Sequence, residues 1–166
     1  MTTKLLLDSS FFFPLIGVEV RNCPKEAILE LLRTKNVQIL RSELVIFELS
    51  AKGTKLVNEN RLEIEDLIDG LNTIQSHPDI TTLPIYYSEI QILSAVFRQN
   101  HSDFIDCLTL ASAVYYSDVF LTLDSALKEK YLEIWEGDIR KIRSKFNVLL
   151  WQEYQPKSKE ITASGP

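Results

Sequence analysis

The chain has 166 residues, 45% hydrophobic and 25% charged, which are the proportions of a folded globular domain and argue against disorder. Eighteen lysines and arginines against 23 aspartates and glutamates leave a net charge of −5, so bulk charge does not mark a nucleic-acid binder and any such contact needs a local basic patch or bound cations. Five glycines without a G-x-G-x-x-G or Walker pattern, and two cysteines without a CxxC, exclude a glycine-rich phosphate loop and a cysteine-based zinc centre. Apolar runs of about five residues fall far short of the ~20 that cross a membrane. The short run at Leu5 lacks the longer apolar core of a signal peptide, so a soluble, cytoplasmic protein without membrane association is expected.

Leu5-Leu6-Leu7 predicts a short buried strand that stops at Asp8. Ser9 and Ser10 offer cap hydroxyls for a helix through Phe11-Phe12-Phe13. Pro24 predicts the opening of the next helix, with Ala27, Ile28, Leu31 and Leu32 on its apolar side. Residues 37–40 read as a second strand. Ser42 predicts the cap of a third helix, which Gly53 ends. An amphipathic helix follows over 61–75, with Leu62, Ile64, Leu67, Ile68, Leu71 and Ile74 facing inward. After the turn at His77-Pro78-Asp79 come an extended segment at 80–84, a helix over 86–99 and another capped by Ser102. Residues 119–123 read as a buried strand ending at Asp124, followed by a short helix at 125–130. An edge strand at 131–135 and a last helix from Gly137 to about Trp151 complete the pattern. Residues 1–153 are expected to form one domain and 154–166 a polar, frayed tail. Strands alternating with helices predict an α/β fold with a parallel sheet covered on both faces, whose ligands bind beyond the carboxyl ends of the strands.

Four carboxylates occupy places where an apolar pattern would not put them. Asp8 and Asp124 each end a strand, and in a parallel sheet they emerge at one edge. Asp106 lies in the first turn of a helix that carries no other charge from Phe104 to Ser117. Glu48 interrupts Leu44-Val45-Ile46-Phe47 and Leu49. A lone buried carboxylate costs several kcal/mol unless it is paired or neutralised. Singly, Asp8 and Asp124 have the alternative role of helix caps, Asp106 that of complementing a helix dipole, and Glu48 that of reaching solvent. Neither histidine has ligand spacing, and no strongly basic residue adjoins any of the four in sequence. Hard oxygen donors of this kind suit Mg²⁺ or Mn²⁺. Two other acidic folds fail on the letters: Asp8-Ser9-Ser10 lacks a phosphatase Asp-x-Asp, and Thr122-Leu123-Asp124 lacks the late lysine of a receiver domain.

Taken in order, four segments resemble the motifs of the PIN-domain ribonuclease family: Leu5 to Ser10, Ser42 to Leu49, Asp106 to Ala113, and Val119 to Asp124. The resemblance covers about residues 4–135 and implies a three-layer α/β/α sandwich with a central parallel sheet. It also implies an endoribonuclease dependent on Mg²⁺ or Mn²⁺, with RNA as substrate. By position, Asp8, Glu48, Asp106 and Asp124 would hold the metal, with Asp103 as a fifth carboxylate and Ser10 and Thr122 as hydroxyl helpers. A toxin of a toxin–antitoxin pair is one role the resemblance allows, with an antitoxin protein as partner. Ser125-Ala126-Leu127 lacks the further acidic residue that some members carry. The alternative is a PIN-like module that binds RNA or protein without cleaving.

Four further features are read from the residues alone. The basic run at 140–145 is expected to be a solvated helix face, with an RNA-phosphate or partner contact as the alternative; the phenylalanine triplet is expected to be mostly core, with one or two of its members leaving apolar surface for a homodimer; and both histidines are expected to be incidental. The tyrosine pairs at 86–87 and 115–116 are expected to pack rather than to stack on bases.

Overall fold

The short apolar runs become strands of one parallel sheet: β1 (Thr3–Leu7), β2 (Val37–Ser42), β3 (Ile80–Leu83), β4 (Val119–Thr122) and β5 (Asn147–Leu150). Among the described residues, seven α-helices connect or follow them: α1 (Ala27–Arg33), α2 (Leu44–Asn58), α3 (Ile64–Ser76), α4 (Ser88–Arg98), α5 (Phe104–Tyr116), α6 (Ser125–Lys130) and α7 (Glu136–Ile142). These elements come from a computed structural model that describes residues 2–23 and 26–154. The opening of a helix at Pro24 and the tail from Gln155 lie outside the described residues.

The period-2 alternation of the strands divides the core into two. Leu5, Leu7, Ile39 and Leu121 join α1, α2 and α3 on one face. Leu6, Leu40, Phe120 and Val148 join α4, α5, α6 and α7 on the other. Both faces are therefore covered, which is why residues 5–7 and 119–121 read as unbroken apolar runs. The result is the expected three-layer α/β/α sandwich. The strand order is β3-β2-β1-β4-β5. The chain leaves β1 toward β2 on one side, and β4 lies on its other side. The order thus reverses between β1 and β4, the place where open parallel sheets leave a crevice. Among the described residues, no helix is long and apolar enough to cross a membrane.

Several expectations are corrected. Phe11, Phe12 and Phe13 do not lie on an α-helix but in two 3₁₀ turns, Ser9–Phe11 and Phe13–Ile16, and all three are buried. The triplet is core, as mostly expected, and leaves no exposed apolar face for a homodimer. Gly53 does not end a helix; α2 runs through it to Asn58. A Cβ there would come within 2.4 Å of Leu67 Cδ1, so the missing side chain serves the packing of α2 on α3. Ile64 and Ile68 face outward on α3 instead of inward. Residues 131–135 form a π-helical turn that joins α6 to α7 rather than an edge strand. The last helix stops at Ile142, and the expected continuation to Trp151 is instead β5, which pairs with β4. The basic run at 140–145 carries ion pairs from Arg140 to Glu136, Lys141 to Asp138 and Arg143 to Asp118. Asp118 precedes β4, so this run lies at the end of the sheet opposite to Asp8 and Asp124.

Candidate active site

The carboxyl ends of β1 and β4 meet through side chains. Thr122 closes β4 and donates its hydroxyl to Asp8 Oδ2 at 2.9 Å. Ser10 donates to the same oxygen at 3.0 Å, and the Ser9 amide donates to Asp8 Oδ1 at 2.7 Å. The Thr122 hydroxyl also accepts the Asp124 amide at 3.0 Å, so one threonine ties both strand-end aspartates together. Asp8 is pushed up from 3.8 to about 6, first by burial. The Thr122 and Ser10 hydroxyls pull it down, while the charges of Asp106 and Glu48 push it further up.

Asp8, Glu48, Asp103, Asp106 and Asp124 line one cleft of about 370 Å³, together with Ser10 and Lys52. The structure therefore brings together every carboxylate singled out in the sequence, from β1, α2, α5 and β4. Asp8 caps the first 3₁₀ turn through the Ser9 amide, and two others cap α-helices. Asp124 Oδ1 accepts the amides of Ala126 and Leu127 at 2.8 and 3.0 Å. Asp103, and not Ser102, caps α5, its Oδ1 accepting the amides of Ile105 and Asp106 at 2.8 and 3.3 Å. Capping and facing the cleft are compatible, because each cap uses one carboxylate oxygen. Among the described residues, no three histidine, cysteine, aspartate or glutamate side chains are gathered into a ready-made metal shell. The donor set is hard oxygen, as Mg²⁺ and Mn²⁺ require, but its members are spread around the cleft instead of converging on one point.

Three partners were not expected from the sequence. Lys52 binds Glu48 Oε1 at 2.8 Å from one turn along α2 and stands 5.0 Å over the Phe13 ring. The i, i+4 spacing of Glu48 and Lys52 was a readable signal. His101, set aside as incidental, lies 2.8 Å from Asp106 Oδ2 through Nε2. Lys130 Nζ lies 3.0 Å from the other ring nitrogen, Nδ1. An ammonium only donates, so Nδ1 accepts and Nε2 carries the proton given to Asp106. This Lys130–His101–Asp106 chain fixes one Asp106 oxygen. Burial raises the pKa of Asp106, the His101 hydrogen bond lowers it, and Asp103 and Glu48 raise it again. No sequence signal connects Lys130 to His101. The other histidine, His77, accepts the Asp79 amide at 3.2 Å within its turn.

A family model described as PIN domain matches residues 5–132, a span that contains all five carboxylates of the cleft. No curated protein matches the chain.

Proposed function

The chain belongs to the PIN-domain family, whose members are generally metal-dependent nucleases, and on that premise we propose that it is an endoribonuclease that hydrolyses RNA phosphodiesters with Mg²⁺ or Mn²⁺. The observation that carries this reading is the convergence of Asp8, Glu48, Asp103, Asp106 and Asp124 on one cleft at the sheet's switch point. Asp8, Glu48, Asp106 and Asp124 would hold the ion, with Asp103 beside them. A bound divalent ion supplies positive charge to the scissile phosphate and lowers the pKa of water.

The chain's own residues prepare that chemistry. Thr122 and Ser10 hold Asp8 from two sides, so its carboxylate cannot rotate freely. His101 holds Asp106 by one oxygen and leaves the other without a hydrogen bond among the described residues. Lys52 offsets part of the charge of Glu48 and lies where an anionic strand would enter. His101 is engaged at both ring nitrogens and Cys107 is buried, which supports attack by water over a protein nucleophile.

A toxin's role, with an antitoxin protein as partner, belongs to the same proposal. A second reading, a PIN-like module that binds RNA or protein without cleaving, draws on the absence of a preassembled metal shell among the described residues. Cleavage of single-stranded RNA with Mn²⁺, stopped by EDTA, separates the two. Asp106→Asn should reduce that cleavage at least about a hundredfold, since even outer-shell changes around a metal cost 10–100-fold. A folded Asp106→Asn protein that cuts at the wild-type rate in low Mg²⁺ would refute the assignment.

A further inference from the structure

A second groove, of about 520 Å³, adjoins the acidic cleft. Ser10, Phe13 and Lys52 line both, so the two are continuous. Its floor is apolar, from Phe13, Val18, Val20 and Leu56. Its rim carries Arg21, Lys52, Lys55 and Arg61 against only Glu19 and Glu59. Cations thus outnumber carboxylates here, although the whole chain has a net charge of −5. Gly17, at φ 81°, turns the chain out of the second 3₁₀ turn so that residues 18–21 form one wall opposite α2.

We propose that this groove binds the nucleotide next to the cleaved phosphodiester of a single-stranded RNA, with the base on the apolar floor and the phosphates against the basic rim. This inference rests on the nuclease reading. The volume falls within the range of small-ligand pockets, roughly 300–1,000 Å³. An apolar floor beside cations is the arrangement that single strands use, since every base has an apolar face and every link a charge. A duplex keeps its bases stacked inside and has none to offer. Lys55 and Arg61 reach Glu59 at 3.9 and 3.1 Å, but both pairs are largely exposed, so a phosphate can compete for the cations. Lys52 stands at the junction, with Phe13 of the floor beneath it and Glu48 of the acidic cleft beside it. A strand lying in the groove therefore carries its next phosphate into the carboxylates.

The test uses a fluorescein-labelled single-stranded RNA oligonucleotide, titrated in EDTA so that binding is read without cleavage. Lys55→Ala/Arg61→Ala should weaken binding roughly tenfold and reduce the salt dependence by about two phosphate contacts. Val20→Trp, which fills the floor, should raise KM for RNA cleavage in Mn²⁺ while kcat holds. RNA added to the unmutated protein should shift the methyl NMR signals of Val18, Val20 and Leu56. If the wild type cleaves RNA and both variants bind and cleave as it does, the groove assignment is overturned and the nuclease reading stands. If RNA binding depends on the groove residues but no cleavage occurs with Mn²⁺, the groove stands as a site for single-stranded RNA, while the nuclease reading falls and the placement beside a cleaved phosphodiester falls with it. Methyl shifts produced by an amphipathic leucine-rich peptide and not by RNA would make the occupant a protein segment and overturn the proposal.

Discussion

Replacing Asp8 with asparagine isolates the cost of holding a carboxylate at the head of the cleft. Its carboxyl moves from 3.8 to about 6, first by burial and then by the charges of Asp106 and Glu48, against the pull of the Thr122 and Ser10 hydroxyls. Between those two pH values the folded chain keeps a proton that the unfolded chain has already released. Stability contributed by this group is therefore full at low pH and is lost as pH rises through about 6. A gap of about two pKa units corresponds to about 3 kcal/mol. Asparagine keeps the shape and carries no charge, so Asp8→Asn should lack this slope. In EDTA, its urea-unfolding free energy relative to wild type should rise by about 3 kcal/mol from about pH 4 to about pH 8. Mn²⁺ should recover the wild-type loss at the higher pH, by roughly 2.7 kcal/mol at a hundred times its dissociation constant, and should do so less in the variant. Stability curves for wild type and variant that run parallel across this range would refute the argument.

Three further outcomes are expected. His101→Ala frees Asp106 Oδ2, and should raise the Mn²⁺ concentration needed for half-maximal cleavage by roughly 10–100-fold with the melting temperature little changed; an unchanged metal requirement would remove His101 from the site. Gly70→Ala, which in an ordinary helix gains about 1 kcal/mol, should instead destabilise by about 1–3 kcal/mol in a thermal melt. The added Cβ would lie 2.3 Å from the Leu15 carbonyl oxygen and 2.8 Å from Ile16 Cα, and backbone cannot step aside; a variant as stable as wild type would contradict that packing. A dimer is expected through exposed Tyr87, Ile92, Val96 and Tyr115 of the α4–α5 side, since the phenylalanines expected to supply the surface are buried. Light scattering that returns about 19 kDa at micromolar concentrations would count against it.

Much of the fold was legible because the apolar runs at residues 5–7 and 119–121 are short and closely followed by Asp8 and Asp124, and because helical spacing in residues 61–75 and 104–116 is long enough to have one reading. The readings failed where a segment is short and its neighbours decide. The second strand was read as stopping at Leu40, yet β2 continues to Ser42 and its cation, Arg41, is only 2% exposed. Asn147 to Leu150 suits a helix as well as a strand, and the open edge of β4 decides for a strand by accepting its hydrogen bonds. Residues 131–135 instead continue as a helical turn whose Tyr131 and Trp135 are buried in the core.

The site divides in the same way. Asp8, Glu48, Asp106 and Asp124 were visible from sequence alone, because a carboxylate inside an apolar run carries a cost that needs a reason. That they share one cleft follows from parallel strands ending at one edge of the sheet, which the order of elements already implied. The family resemblance marks Ser10 and Thr122 as hydroxyl helpers and Lys52 stands at helical spacing from Glu48, but which carboxylate each hydroxyl holds, and the His101–Lys130 pair behind Asp106, were decided only by the tertiary structure. Thr122 reaches Asp8 across 114 residues, and Lys130 reaches His101 across 29. Contacts of that range depend on strand order and helix rotation, and neither leaves a trace in the spacing of the letters. The sequence by itself therefore determined the charges that had to be satisfied, and the packing of α5 and α6 against the sheet decided which groups satisfy them.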